Sequence, residues 1–206
     1  AWTASTIMVM IVYPHHLLMD FVMPTWALVI GQVISYTAGF PILLVTGYGA
    51  LTIIHRSGIQ WDMVSRLLFV SIFGWCIGVI PAIIDGTIAV NKVMHNTMWV
   101  PGHFHMYLIL GLVAMLFGFM YYISNQQETQ RVLDRVAFWL YTVAGIAFTF
   151  GFLLSGYQSV PRRWAQHLPE WVAYSQFSSI FAAIVSFAAL IFAVRFLTNL
   201  KQARAA

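Results

Sequence analysis

Acidic side chains are scarce in this chain: six Asp and Glu among 206 residues, against ten Lys and Arg. Charged residues of both signs make up only 8%, while 61% of residues are hydrophobic. A soluble domain of this length needs far more polar surface, so the composition points to an integral membrane protein. Spread over so much apolar sequence, the formal charge of +4 calls for an explanation by topology and not by nucleic acid. Cysteine is nearly absent as well. Cys76 stands alone inside an apolar run, which excludes a disulfide framework and predicts a buried, inert thiol. No charged leader precedes the first apolar run, TIMVMIV, and no repeat or low-complexity segment follows. That run falls far short of the about 20 residues a crossing helix needs. It reads as the tail of a helix that begins upstream.

Five apolar segments are long enough to span a bilayer: Pro24 to Ile54, Leu67 to Ala89, Met98 to Ile123, Ala137 to Gly156 and Val172 to Leu197. Each is continuously apolar and does not alternate over about 10 residues, which favours helices over a barrel. The expected fold is therefore an all-α membrane bundle of five full spans plus an N-terminal partial helix. Glycines scattered through the spans, among them Gly39, Gly74, Gly78 and Gly145, suit close helix contact.

If the spans alternate direction, Arg56, Arg66, Arg131, Arg135, Arg195, Lys201 and Arg204 fall on one side. Lys92, Arg162 and Arg163 fall on the other. This asymmetry predicts that the first group, with the C-terminus, is cytoplasmic. On the outer side gather His15, His16, Asp20, Asp85, Lys92, His95, His103, His105, Arg162, Arg163 and His167. Only His55 lies away from them. Gathering at one end of a bundle is what a buried cofactor layer requires.

Two histidines in HNTMWVPGHFH sharpen that expectation. Helical residues two apart point about 200° apart, so His103 and His105 are badly placed to share one metal. They are well placed to serve two cofactors on opposite sides of one helix, and imidazole is a common haem-iron ligand. The plainer alternative is a pair of core histidines bonded to neighbouring helices. In VYPHHLLMD, Pro14 disfavours regular helix, so His15 and His16 can both turn toward one ion. Two imidazoles suit copper, iron or zinc but leave the site incomplete. In SVPRRWAQHLPEW, Arg162 and Arg163 read equally as an interfacial anchor beside Trp164 and Trp171, or as directed binders of cofactor carboxylates. His167 reads as a loop residue.

The ordered set HH, HNTMWVPGHFH and PRRW resembles subunit I of the haem-copper oxygen reductases, the terminal respiratory oxidases. The resemblance covers essentially the whole chain, matched to the second half of that subunit from the end of its seventh helix through its twelfth. It implies that His15 and His16 are copper ligands, that His103 is the axial ligand of the high-spin haem, and that His105 is an axial ligand of the low-spin haem. Phe104 would sit between the two rings, Arg162 and Arg163 would bond haem propionates, and His95 would lie near them. Asn96 stands where the mitochondrial-like branch has Asp, which argues against magnesium at that position. The helix QVISYTAGFPILLVTGYG has no Lys where mitochondrial-like relatives carry one for proton uptake. It is more similar to the B-type branch, with Tyr36, Thr37, Thr46 and Tyr48 as candidate proton-path hydroxyls.

The resemblance also implies missing parts: the third copper His with its crosslinked Tyr, and the second low-spin haem His, belong on earlier helices. The expected partners are thus a polypeptide carrying the N-terminal half, or a longer subunit of which this is a portion, and an accessory subunit such as one with a copper centre. Cytochrome c, a small copper protein or a quinol would deliver electrons to O2, in a prokaryotic plasma membrane. The implied activity is reduction of O2 to water at a haem-copper centre, coupled to proton uptake and translocation. Nitric oxide reductases are similar but usually carry Gly where Phe104 stands. An electron-transfer haem module would need His103 and His105 without copper, and a transporter or structural subunit would need neither metal.

Overall fold

The computed structural model describes residues 22–124 and 132–205, together with positions 3, 7 and 10. Five helices are long and apolar enough to cross a membrane. They are α1 (Thr25–Ser57), α2 (Met63–Asp85), α4 (Trp99–Ile123), α5 (Val132–Tyr157) and α6 (Pro169–Ala205), with the short α3 (Ile88–Met94) between α2 and α4. Nearest the N-terminus, Thr3, Ile7 and Met10 are helical. The predicted all-α membrane bundle is what the chain forms.

The turn between α1 and α2 follows local chemistry. His55 and Arg56 occupy the last turn of α1, where cations complement the helix dipole. Gly58 then takes φ +60°, a left-handed stop that glycine adopts without strain. Asp62 opens α2 by accepting the Ser65 N–H through Oδ1 at 2.7 Å. At the far end of α2, the expected span to Ala89 is interrupted. The Gly86 and Thr87 N–H groups fold back onto Ala82 and Ile84 carbonyls, and α3 starts afresh with the Ile88 N–H donating to Gln32 Oε1 at 2.8 Å. Hydropathy alone cannot see that break.

Two spans contain wide, π-type turns. In α1, Ile42–Gly47 follows Pro41, whose missing N–H disturbs the ladder. In α4, Met106–Val113 is π-helical immediately after His105. There the Tyr141 hydroxyl of α5 donates to the Ile109 carbonyl at 2.5 Å.

The core lies where α2, α4, α5 and α6 meet, around Leu67, Leu110, Phe117, Tyr141 and Phe192. Phe192 packs against Phe117 and Tyr121 with centroids 4.9 and 5.9 Å apart. Close approach depends on small residues: a Cβ at Gly74 would lie 2.5 Å from the Leu110 carbonyl carbon. Cys76 is buried, as expected. With successive spans antiparallel, Arg56, Arg66, Arg135 and Arg195 share one end, and Lys92, Arg162 and Arg163 the other. At the first end the fully buried Asp134 accepts a bond from Arg195 Nε at 3.1 Å.

Candidate functional site

The site is built where α2 ends, α4 begins and the α5–α6 loop returns. Two backbone hydrogen bonds fasten that loop to the segment before α4. The Met98 N–H donates to the Val160 carbonyl at 2.9 Å and the Arg162 N–H to the Asn96 carbonyl at 2.8 Å, and together they make the isolated antiparallel bridge between Thr97 and Pro161. Gly156 packs directly on the Trp99 backbone, where no larger residue fits. The Trp99 indole N–H reaches back to the Pro81 carbonyl of α2 at 3.1 Å. These ties fix the first turn of α4, which carries the histidine pair.

His103 and His105 face different neighbours, as their spacing requires. His103 is buried, with Nε2 3.7 Å from Asp85 Oδ2 of α2 and its ring edge-on to Tyr107 at 6.1 Å. That separation is too long for a hydrogen bond. His105 turns toward α5, edge-on to Phe148 at 5.4 Å and Phe152 at 5.5 Å. Its Nδ1 lies 2.7 Å from the Pro101 carbonyl. A carbonyl only accepts, so Nδ1 carries a proton, and in the neutral ring the lone pair is at Nε2. Phe104, between them in sequence, is 53% exposed, with its ring 5.4 Å from His105.

Beneath the pair is a polar cluster that sequence reading only partly anticipated. Asn91 is buried and donates through Nδ2 to the Asp85 carbonyl at 2.7 Å and to Asp85 Oδ1 at 3.2 Å. His95 is buried too, and it interacts electrostatically with Asp85, as does Arg162. Arg162 is half-buried, its Nη2 a long 3.5 Å from Asn96 Oδ1. Arg163 diverges from it: exposed and at φ +69°, a left-handed conformation uncommon for a non-glycine residue. Lys92 is exposed, and His167 bonds Ser175 Oγ at 2.6 Å in the loop, a local role. His15, His16 and Asp20 lie outside the described residues. Among the described residues, no group of three His, Cys, Asp or Glu is placed to hold a metal ion.

Of the hydroxyl candidates on α1, only Tyr36 has a bond that reaches another segment among the described residues, 2.6 Å from Thr87 Oγ1. Thr37 bonds the Val33 carbonyl of its own helix, and Tyr48 is exposed. The Phe148 and Phe152 wall was missed, although its i, i+4 spacing on α5 marks one helix face. The Asn91 bond left no sequence signal, since its partner lies beyond a break that hydropathy does not reveal.

The fold and this helix end define an all-helical integral membrane subunit with opposed imidazoles on one span. A family model described as cytochrome c and quinol oxidase polypeptide I matches residues 1–191. The chain belongs to that family, among the membrane subunits of the haem-copper oxidases. Cytochrome c oxidase polypeptide 1 of Halobacterium salinarum is 26% identical over 155 residues, covering 69% of this chain and 26% of the relative. Cytochrome c oxidase subunit 1 of Cereibacter sphaeroides is 25% identical over 200 residues, covering 93% of this chain and 34% of the relative. A haem-copper terminal oxidase dimer solved by cryo-EM shares the fold, with TM-score 0.73 at 17% identity over 90% of this chain and 38% of that one. The chain thus spans between about a quarter and two fifths of the length of these relatives.

Proposed function

We propose that this chain is the second half of subunit I of a terminal respiratory oxidase, from the end of its seventh helix through its twelfth, closest to the B-type branch. It takes part in reducing O2 to water, with proton uptake from the cytoplasm and energy conserved across the membrane. The observation that carries this reading is the opposed pair on α4. His105 presents Nε2 from a ring whose tautomer is set by the Pro101 carbonyl, against an aromatic wall that fits a flat apolar macrocycle.

In this reading His105 would hold the low-spin haem iron, His103 the high-spin haem iron, and His15 and His16 the copper ion. Bound there, these groups supply the electron-transfer and oxygen chemistry, while the protein sets position and polarity. Phe148 and Phe152 keep water from the His105 ring. Phe104 would sit between the two haem rings. Arg162, held by its own backbone N–H, offers a fixed cation to an anionic side group, with Arg163 and His95 nearby. Tyr36 and Thr87 form the hydroxyl contact best placed to pass a proton between segments. The arginine-rich end and the C-terminus face the cytoplasm of a prokaryotic cell.

Completing the site requires a polypeptide with the N-terminal half, or a longer subunit, and an accessory subunit that receives electrons from cytochrome c, a small copper protein or a quinol. Haem and copper analysis of the purified complex, with O2 uptake, tests the proposal. His103→Leu should abolish the spectrum of the oxygen-binding haem, and His105→Leu should chiefly disturb the low-spin haem. A complex lacking both metals, or spectra untouched by either change, rules the reading out. Turnover of NO without O2 uptake would instead assign a nitric oxide reductase.

A further inference from the structure

Two apolar grooves open at the arginine-rich end of the bundle, away from His103 and His105, and both are lined by Trp139. The larger, about 530 Å³, runs between α5 and α6 along Val136, Leu140 and Val143 with Phe181 and Ile184, and Arg135 is part of its lining. The second, about 380 Å³, is formed by Trp61, Phe69, Phe138 and Trp139 together with Arg66. From Val132 to Val143 the larger groove covers about 16 Å at about 1.5 Å per residue. That is one leaflet of a hydrocarbon core about 30 Å thick.

We propose that this end of the bundle binds one anionic diacyl phospholipid, its two acyl chains in the grooves either side of Trp139 and its phosphate between Arg66 and Arg135. Charge complementarity selects the headgroup. Among the described residues, no carboxylate lines either groove. Among the described residues, the acids nearest to these arginines in sequence are engaged: Asp134 with Arg195, and Asp62 in capping α2. Arg135 is exposed and, among the described residues, forms no ion pair. Arg66 is oriented by its Nε bond to the Trp61 carbonyl at 3.0 Å, which leaves its terminal nitrogens to meet an anion. Trp61 and Trp139, both partly exposed, take the interfacial position that tryptophan favours. Basic clefts between membrane helices recognise acidic lipid headgroups in this way.

Native mass spectrometry of the intact, delipidated complex titrated with phosphatidylglycerol or phosphatidylcholine tests the site. Phosphatidylglycerol should be retained in preference. Arg66→Gln and Arg135→Gln should each weaken its binding about fivefold, and together about 25-fold, the factor that corresponds to ~1 kcal/mol per arginine near a membrane surface. Trp139→Ala should weaken both lipids. Equal retention of the two lipids, or unchanged binding by the arginine variants, overturns the proposal. A photoreactive probe on a Val136→Cys variant should crosslink to lipid in the intact complex. Crosslinking to a polypeptide instead would show that protein covers the groove and would also overturn it.

Discussion

Removing Arg195 should destabilise the bundle far more than its position near a helix end suggests. Its partner Asp134 is 0% exposed, and Arg195 Nε supplies a 3.1 Å bond to Oδ1 while its own side chain is only 14% exposed. Among the described residues, the Tyr121 hydroxyl is the other polar group beside it, too weak a partner to replace a cation. Arg195→Met therefore strands a carboxylate in the interior, a change that costs about 3–5 kcal/mol in comparable buried pairs. For a protein of this size each kcal/mol lowers the melting temperature by about 2–4 °C, so a drop of roughly 10 °C is expected. The double variant Asp134→Leu with Arg195→Met removes both charges and should recover most of that loss. Thermal melts of the purified complex, followed by near-ultraviolet circular dichroism, give both numbers. If Arg195→Met melts within about 2 °C of the parent, or the double variant melts below the single one, the pair does not act as a buried ion pair.

Gly74→Ala should impair assembly by about 1–3 kcal/mol, because its Cβ meets the backbone of Leu110 and Gly111, which cannot step aside. Gly49→Ala, with nothing within 4 Å, is the control and should leave the melt unchanged. Tyr141→Phe takes the hydroxyl from the Ile109 carbonyl in the wide part of α4 and should cost about 1–3 kcal/mol, read from the same melts. If His105 holds the low-spin haem as proposed, Phe148→Ala, which opens one wall beside His105, should broaden that haem's band and spare the spectrum of the other; changes of equal size in both would contradict the separation of the two faces.

The sequence conveys the spans well because apolar length is a strong and local signal. It also conveys the divergence of His103 and His105, since 100° per residue is a property of any helix. The stop at Gly58 and the start at Asp62 are equally local. Less legible is whatever depends on a neighbour. Pro41 hints at the wide turns in α1, but nothing in MYLILGLV announces those in α4, whose Ile109 carbonyl finds its donor on another helix. Asp134 and Arg195 sit 61 residues apart and read singly as ordinary interfacial charges. Adjacent Arg162 and Arg163 look equivalent in sequence, yet one is half-buried against Asn96 and the other is exposed at positive φ.

The tie between residues 96–98 and 160–162 uses main-chain atoms, and main-chain bonds are indifferent to most side chains. Asn96 can therefore exchange for another residue without moving the backbone that carries Arg162. Proline is the exception, and its effect is uneven along the tie. At 98 or 162 it would delete a donor, whereas at 161 it already sits without loss. Chemistry at this end of the bundle is thus free to drift through residue choice while its geometry stays fixed.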